Sequence, residues 1–143
     1  MDNMEGKGRT MSLRCVYTNA DSLANKMDEF EARIREHRPD VIGVTETLPK
    51  STSTFIANSF VPTLHGYTSY STGEGRGASL FIRADITSMP LELKVCEGVV
   101  AVGCIIPLQG SDQMTIGLIY RSPSSTDMNN QNLLRALSDI THI

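Results

Sequence analysis

The chain has 143 residues, of which 40% are apolar and 20% charged, and its net charge is −3. This composition is typical of one globular domain with a core of its own and argues against intrinsic disorder. The slightly acidic balance gives no support to nucleic-acid binding through a basic face. It leaves phosphodiester chemistry at a metal site open, because such a site is built from acidic residues.

The first eleven residues, MDNMEGKGRTM, are polar and predict a flexible leader before a domain that spans residues 12–143. They lack the apolar stretch of a secretory signal, and no apolar run in the sequence is long enough to span a bilayer. We therefore expect an intracellular protein, nuclear or cytoplasmic, with no membrane partner. Cys15, Cys96 and Cys104 have no Cys-x-x-Cys spacing, so they predict neither disulfides nor a zinc site.

The first regular elements form a strand–helix–strand unit. Residues 13–17 predict a strand, and Ser22 predicts the N-cap of a helix that ends at Pro39. The apolar stripe of this helix consists of Leu23, Met27, Phe30 and Ile34. The apolar run VIGV at residues 41–44 predicts a second strand, buried on both faces. Two strands joined by a helix are expected to be parallel.

The remainder of the chain predicts mainly strands. Residues 49–64 are polar with two prolines and predict a loop. Strands are predicted at Tyr67–Tyr70, Ala78–Ile86, Val95–Ile106 and Met114–Tyr120, and a helix at Asn130–Ile140. The segment Gly73-Glu-Gly-Arg-Gly77 predicts a hairpin turn, because a nucleotide-binding glycine loop would lead into a helix. The histidines have no partner at metal-ligand or catalytic-triad spacing.

Polar side chains follow both strands of the first unit. The first strand leads to Asn19, and the second ends in Thr-Glu-Thr with Glu46. Parallel strands finish at the same edge of a sheet, where open α/β sheets bind their ligands. Carboxylate and amide oxygens are ligands that Mg²⁺ accepts, so the pair predicts a magnesium site. The alternative is that Glu46 simply faces solvent beyond a strand end.

Four stretches, in this order and spacing, resemble the endonuclease/exonuclease/phosphatase superfamily, and within it the endonuclease domain of non-LTR retrotransposons that precedes a reverse transcriptase. They are TNADSLANKMDEF (18–30), RPDVIGVTET (38–47), GRGASLFIR (75–83) and GLIYRSPSS (117–125). The resemblance implies an α/β fold, a two-sheet sandwich with outer helices of the DNase I type. It also implies hydrolysis of phosphodiesters, with DNA as substrate and Mg²⁺ or Mn²⁺ as cofactor.

The resemblance also implies roles for three residues. Glu46 would be the metal ligand, Asn19 would bind the metal and orient the carboxylate, and Tyr120 would hydrogen-bond the scissile phosphate. The strand pattern alone also predicts Asn19 and Glu46 at this edge of the sheet. For Tyr120, the alternative is a strand-end tyrosine whose ring is packed and whose hydroxyl is solvated.

The sequence also departs from the family pattern. Leu48 stands where the family has a large aromatic residue, and Asp21 stands where it often has arginine, which removes a phosphate contact. The Gly-Asp-Phe-Asn-like and Ser-Asp-His-like segments of the family's second half do not occur. We therefore expect the C-terminal part of the domain to be missing, metal binding to be weak and this chain alone to be inactive.

A missing half would leave strands of the sandwich uncovered, namely some of those at residues 78–86, 95–106 and 114–120. This predicts self-association through an uncovered sheet. Two alternative functions stay open at this point: a catalytically dead module that serves as an interaction protein, and a phosphatase or deadenylase branch of the same superfamily.

Overall fold

The computed structural model describes residues 12–50, 60–93 and 99–121, together with residues 127, 128, 131 and 134. The elements are β1 (Cys15–Asn19), a 3-10 helix (Leu23–Asn25), α1 (Met27–His37), β2 (Val41–Thr45), β3 (Tyr67–Thr72), β4 (Ala78–Arg83), β5 (Met89–Leu91), β6 (Val100–Pro107) and β7 (Gln113–Tyr120). Within these ranges, no helix has the length and apolar character needed to cross a bilayer.

The strands form two sheets. The first has the order β1-β2-β4-β3 and the second the order β5-β6-β7. β1 and β2 are parallel, with Cys15 beside Val41 and Asn19 beside Thr45, as the strand–helix–strand pattern predicts. Every other pairing is antiparallel, including the predicted hairpin of β3 and β4. The predicted two-sheet α/β architecture is therefore confirmed.

β2 is an inner strand of the first sheet and is buried along its whole length. Its side chains alternate between two layers, as in any strand. Ile42 and Val44 face α1 and pack in a cluster with Ile34 and Phe81, whereas Val41 faces the second sheet. Burial of each such side chain contributes roughly 1.5–3 kcal/mol. The prediction of a strand buried on both faces is confirmed.

The helix begins later than predicted, and Ser22 is not its N-cap. Ser22 has φ +81 and makes no capping hydrogen bond with its side chain. Its amide donates instead to Glu46 O at 2.8 Å, and the Ala24 amide donates to Thr47 O at 3.1 Å. These bonds hold the segment against the end of β2, so a 3-10 turn forms first and α1 starts at Met27.

Other boundaries also differ from the prediction. β4 ends at Arg83 instead of Ile86. β6 begins at Val100, and Val99 before it is not in a strand, whereas residues 95–98 of the predicted strand lie outside the described residues. β5 was not predicted, because three residues that contain Pro90 carry little strand signal; proline is tolerated there at the edge of a sheet. Of the predicted C-terminal helix, Gln131 and Leu134 are described and are helical. The rest of that helix and the predicted leader lie outside the described residues.

Of the strands among which uncovered ones were expected, β4 is covered, whereas β1, which was not among them, is exposed. Five of the six residues of β4 are buried, because the second sheet packs over β4 and β2. All five residues of β1 are exposed, with 61% of Tyr17 accessible. β1 is an edge strand of the first sheet.

Candidate active site

Glu46 follows β2 directly in an unusual backbone conformation, with φ +57. Residues other than glycine, asparagine and aspartate rarely adopt this conformation, and it costs roughly 1–2 kcal/mol. Two backbone hydrogen bonds hold Glu46 there, from its amide to Gly77 O at 3.0 Å and from the Ser22 amide to its carbonyl at 2.8 Å. The chain therefore turns out of the sheet at Glu46, and the side chain stays only 14% exposed.

The side chain of Tyr120 meets Glu46 from the other sheet. The Tyr120 hydroxyl, at the end of β7, donates to Glu46 Oε2 at 2.5 Å. This hydrogen bond, together with burial and the negative charge of Glu46, raises the pKa of Tyr120 to about 12. Tyr120 therefore stays protonated to higher pH than an ordinary tyrosine, and its hydroxyl is the hydrogen-bond donor to Glu46. The structure thus brings together two of the three residues that the sequence selected.

Arg76 is the member of this site that the sequence analysis missed. It lies in the turn between β3 and β4, and its Nη1 is 3.2 Å from Glu46 Oε1. Its Nη2 pairs with Asp21 Oδ1 at 2.9 Å and also donates to Leu48 O at 3.1 Å. The bond to Arg76 lowers the pKa of Asp21. Asp21, which departs from the pattern of the family that the sequence resembles, is thus paired with Arg76 of the glycine-rich hairpin.

Asn19 lies beside this network but is not bonded to its carboxylate. Its backbone pairs with Thr45, one residue before Glu46. Its side-chain Oδ1 accepts the Asp21 amide at 3.2 Å, which orders the turn that leads out of β1. Tyr17, two residues earlier on the same face of β1, shares a hydrogen bond of 2.6 Å with Thr45 Oγ1. Asn19 is therefore close to the site because its backbone pairs with the residue before Glu46.

The side chains at this edge of the sheet provide some, but not all, of the ligands that a divalent cation needs. Glu46 offers the carboxylate that Mg²⁺ accepts, but Tyr120 and Arg76 each engage one of its two oxygens. Among the described residues, no three histidine, cysteine, aspartate or glutamate side chains are grouped so that they could hold a metal ion. A cation at Glu46 would therefore have to compete with Arg76 and take most of its other ligands from water or substrate.

Comparison with known proteins supports the fold. No family model matches the sequence, and no curated protein sequence matches it significantly. Among solved structures, the chain is similar to a humanized D. rerio TDP2 carrying 14 mutations, with a TM-score of 0.57 and 12% sequence identity. The match covers 87% of this chain and 54% of that one, so this chain spans about half the length of its structural neighbour. The chain has a DNase I-like fold.

Proposed function

We propose that this chain is the N-terminal portion of a magnesium-dependent phosphodiesterase domain that nicks DNA in a retrotransposon-type protein. The observation that carries the proposal is the carboxylate of Glu46, which is held at the carboxyl end of a buried parallel strand in a strained backbone conformation. Strain of this kind is concentrated at functional sites. The DNase I-like fold, which phosphodiesterases share, supports the same chemistry.

In this proposal Glu46 binds the metal, and Asn19 lies beside it as a further oxygen ligand that orients the site. A bound Mg²⁺ or Mn²⁺ would supply Lewis-acid stabilisation of a phosphate oxygen. Tyr120 carries its proton at neutral pH, as tyrosine ordinarily does, and when the metal binds Glu46 its hydroxyl would donate to a phosphate oxygen instead of to Glu46. These residues provide one side of a hydrolytic site, and a base on the other side of the phosphorus is required as well.

Metal titration tests the role of Glu46. We expect Mg²⁺ or Mn²⁺ to bind weakly to the chain in titration calorimetry, because such sites rely on the substrate phosphate as well. Glu46→Gln should abolish this binding, whereas Glu74→Gln, which removes the same charge from an exposed position, should leave it unchanged. Binding that survives in Glu46→Gln would contradict the proposed metal ligand.

A plasmid-nicking assay tests the claim that the site is incomplete. We expect the chain to leave supercoiled DNA intact with Mg²⁺ or Mn²⁺, because a partner group for the attacking water is lacking from the site described above. Nicking that depends on the metal and disappears in Glu46→Ala would instead show that this chain is a complete enzyme.

A second candidate function is that of an interaction module, and the exposure of β1 favours it. An edge strand with free backbone donors and acceptors is a template for pairing with another strand. Val16 and Tyr17 on β1 are 43% and 61% exposed. We expect the purified chain to self-associate in analytical sedimentation, and Val16→Lys to weaken that association. A stable monomer at high concentration would argue against this function.

A further inference from the structure

We propose that Arg76 is a built-in counter-cation that occupies the metal-binding carboxylate of Glu46 and that a divalent cation must displace. The inference rests on the proposed role of Glu46 and adds a control on that same site. Its starting point is that Arg76 Nη1 lies 3.2 Å from Glu46 Oε1 and that both side chains are largely buried, with 23% and 14% exposed.

The guanidinium is fixed in this position by contacts other than the one to Glu46. Its Nη2 is 2.9 Å from Asp21 Oδ1, and its Nε and Nη2 donate to Leu48 O at 3.2 and 3.1 Å. The backbone of the turn is fixed as well, since the Leu48 amide donates to Arg76 O at 2.9 Å. Arg76 is thus preorganised, and little side-chain entropy is lost when it meets the carboxylate.

The planar guanidinium presents several N–H donors in a fixed fork, so it contacts Glu46, Asp21 and Leu48 at the same time, which a lysine ammonium would not reproduce. A divalent cation that binds Glu46 therefore competes with one of these donors. When it does, Arg76 keeps its bonds to Asp21 and Leu48 and stays within the site.

The charge balance of the site agrees with this competition. Arg76 lies between the carboxylates of Asp21 and Glu46 and bonds to both. Lys26 is a second cation in the same loop region, but its Nζ donates to the backbone oxygens of Ala20 and Asp21 at 2.7 and 3.2 Å. Lys26 therefore provides a matched control, because it has the same charge and its described bonds go to backbone oxygens and not to Glu46.

The test is a titration of the full chain with Mn²⁺, monitored by electron paramagnetic resonance, in the wild type and in three variants. Arg76→Gln should bind Mn²⁺ roughly five-fold more tightly than the wild type, which corresponds to an ion pair of moderate strength. Lys26→Gln should stay within about two-fold of the wild type, because its charge is not in contact with the carboxylate. Glu46→Gln should bind no Mn²⁺ at this site.

Each outcome has a separate meaning. Equal or weaker binding in Arg76→Gln, with loss of binding in Glu46→Gln, would overturn the role of Arg76 and leave the proposed function standing. An increase in Mn²⁺ affinity in Lys26→Gln as large as that in Arg76→Gln would also overturn it. The removal of any nearby positive charge would then explain the increase. Unchanged binding in Glu46→Gln would contradict the metal site itself.

A second measurement uses the wild-type chain, in case Arg76→Gln fails to fold. The nitrogen resonances of the Arg76 guanidinium should shift when Mg²⁺ is added, and they should not respond in Glu46→Gln. Resonances of Arg76 that stay fixed while those of the Glu46 carboxylate shift would overturn the inference.

Discussion

The two ends of β2 each carry a carboxylate bound to an arginine, and the two sites differ in what they hold together. At the start of the strand, Asp40 accepts the Arg14 amide at 2.7 Å and pairs with Arg83 Nη1 at 2.5 Å. At the other end, Glu46 pairs with Arg76 from a turn and with Tyr120 from the second sheet. The first site joins neighbouring strands of one sheet, whereas the second joins separate parts of the molecule.

The backbone separates the two sites further. Asp40 lies within the regular hydrogen bonding of the sheet, since its amide donates to Arg14 O and its carbonyl accepts the Arg83 amide, both at 2.9 Å. Glu46 has a positive φ, as do Asp21 and Ser22 in the loop bonded to it. An ion pair alone therefore does not indicate function. Strain combined with side chains from different elements distinguishes the candidate site from a structural one.

The largest expected effect is that of Gly77→Ala at the Glu46 end. Gly77 has φ +79, and an added Cβ would overlap Thr47 Oγ1 and lie 3.2 Å from the Leu48 side chain. We expect a loss of about 3 kcal/mol in the free energy of unfolding, measured by urea denaturation. Gly110→Ala, at φ +70 with open space around it, should cost only about 1 kcal/mol. Equal losses in the two variants would show that the turn is not tightly packed.

Asp40→Ala tests the ion pair at the start of β2. It removes the acceptor of the Arg14 amide and the partner of the Arg83 guanidinium, so we expect a loss of about 2 kcal/mol in the free energy of unfolding. Asp85→Ala, which removes an exposed partner of the same arginine, should cost clearly less in the same denaturation experiment.

Glu46→Ala should destabilise the chain less than Asp40→Ala, by about 1 kcal/mol or less. Arg76 would keep its bonds to Asp21 and Leu48, and the partly exposed Tyr120 hydroxyl could bond to water. The same urea titration measures this loss. If Glu46→Ala lowered the free energy of unfolding more than Asp40→Ala, Glu46 would be the carboxylate with the larger structural role, which contradicts the assignment of that role to Asp40.

Tyr120→Phe should change how stability depends on pH. Tyr120 has its pKa raised from 10.0 to about 12 in the folded chain, so its contribution is complete below pH 10 and is lost as the pH rises from there to about 12. Wild-type stability should fall more steeply than that of Tyr120→Phe across this window, measured by thermal unfolding. Glu46→Gln should behave more like Tyr120→Phe, because the main cause of the shift is removed. Identical slopes in all three would contradict the bond between the two residues.

The smallest expected effect is that of Asp21→Asn. Arg76 lowers the pKa of Asp21 below 3.8, so the charged pair adds stability above that value and loses it as the pH falls further. Asp21 is 73% exposed, and solvent screens the pair. We expect the melting temperatures of wild type and Asp21→Asn to differ slightly at neutral pH and to converge in acid. A difference that grows in acid would contradict this role.

The sequence predicted the framework because local patterns determine it. The apolar run that ends in Val44 and the helical stripe that includes Ile34 require a strand and a helix, and their order requires parallel strands. The order of these elements also predicted that Glu46 would emerge at the ligand edge. Asn19 was expected there too, and the register confirms that its backbone is adjacent to Thr45.

What the sequence did not predict depends on contacts between distant residues. The ion pair of Arg76 with Asp21 spans 55 positions, and no local pattern indicates it. The displaced start of α1 has the same origin, since bonds from the Ser22 and Ala24 amides to the end of β2 override a good capping residue. The available signal was Asp21, which stands where the family that the sequence resembles often has arginine. It indicated a reversed charge, for which a compensating arginine should be sought.

The backbone conformation of Glu46 has a consequence for laboratory evolution. At φ +57, glycine is free of the steric cost that a glutamate carries, so a library selected for thermal stability alone should replace Glu46 with glycine or asparagine. A library selected for retention of divalent-cation binding should keep glutamate there in spite of the cost. The residue enriched at position 46 in each library would show which residue gives the most stable fold and which one cation binding requires.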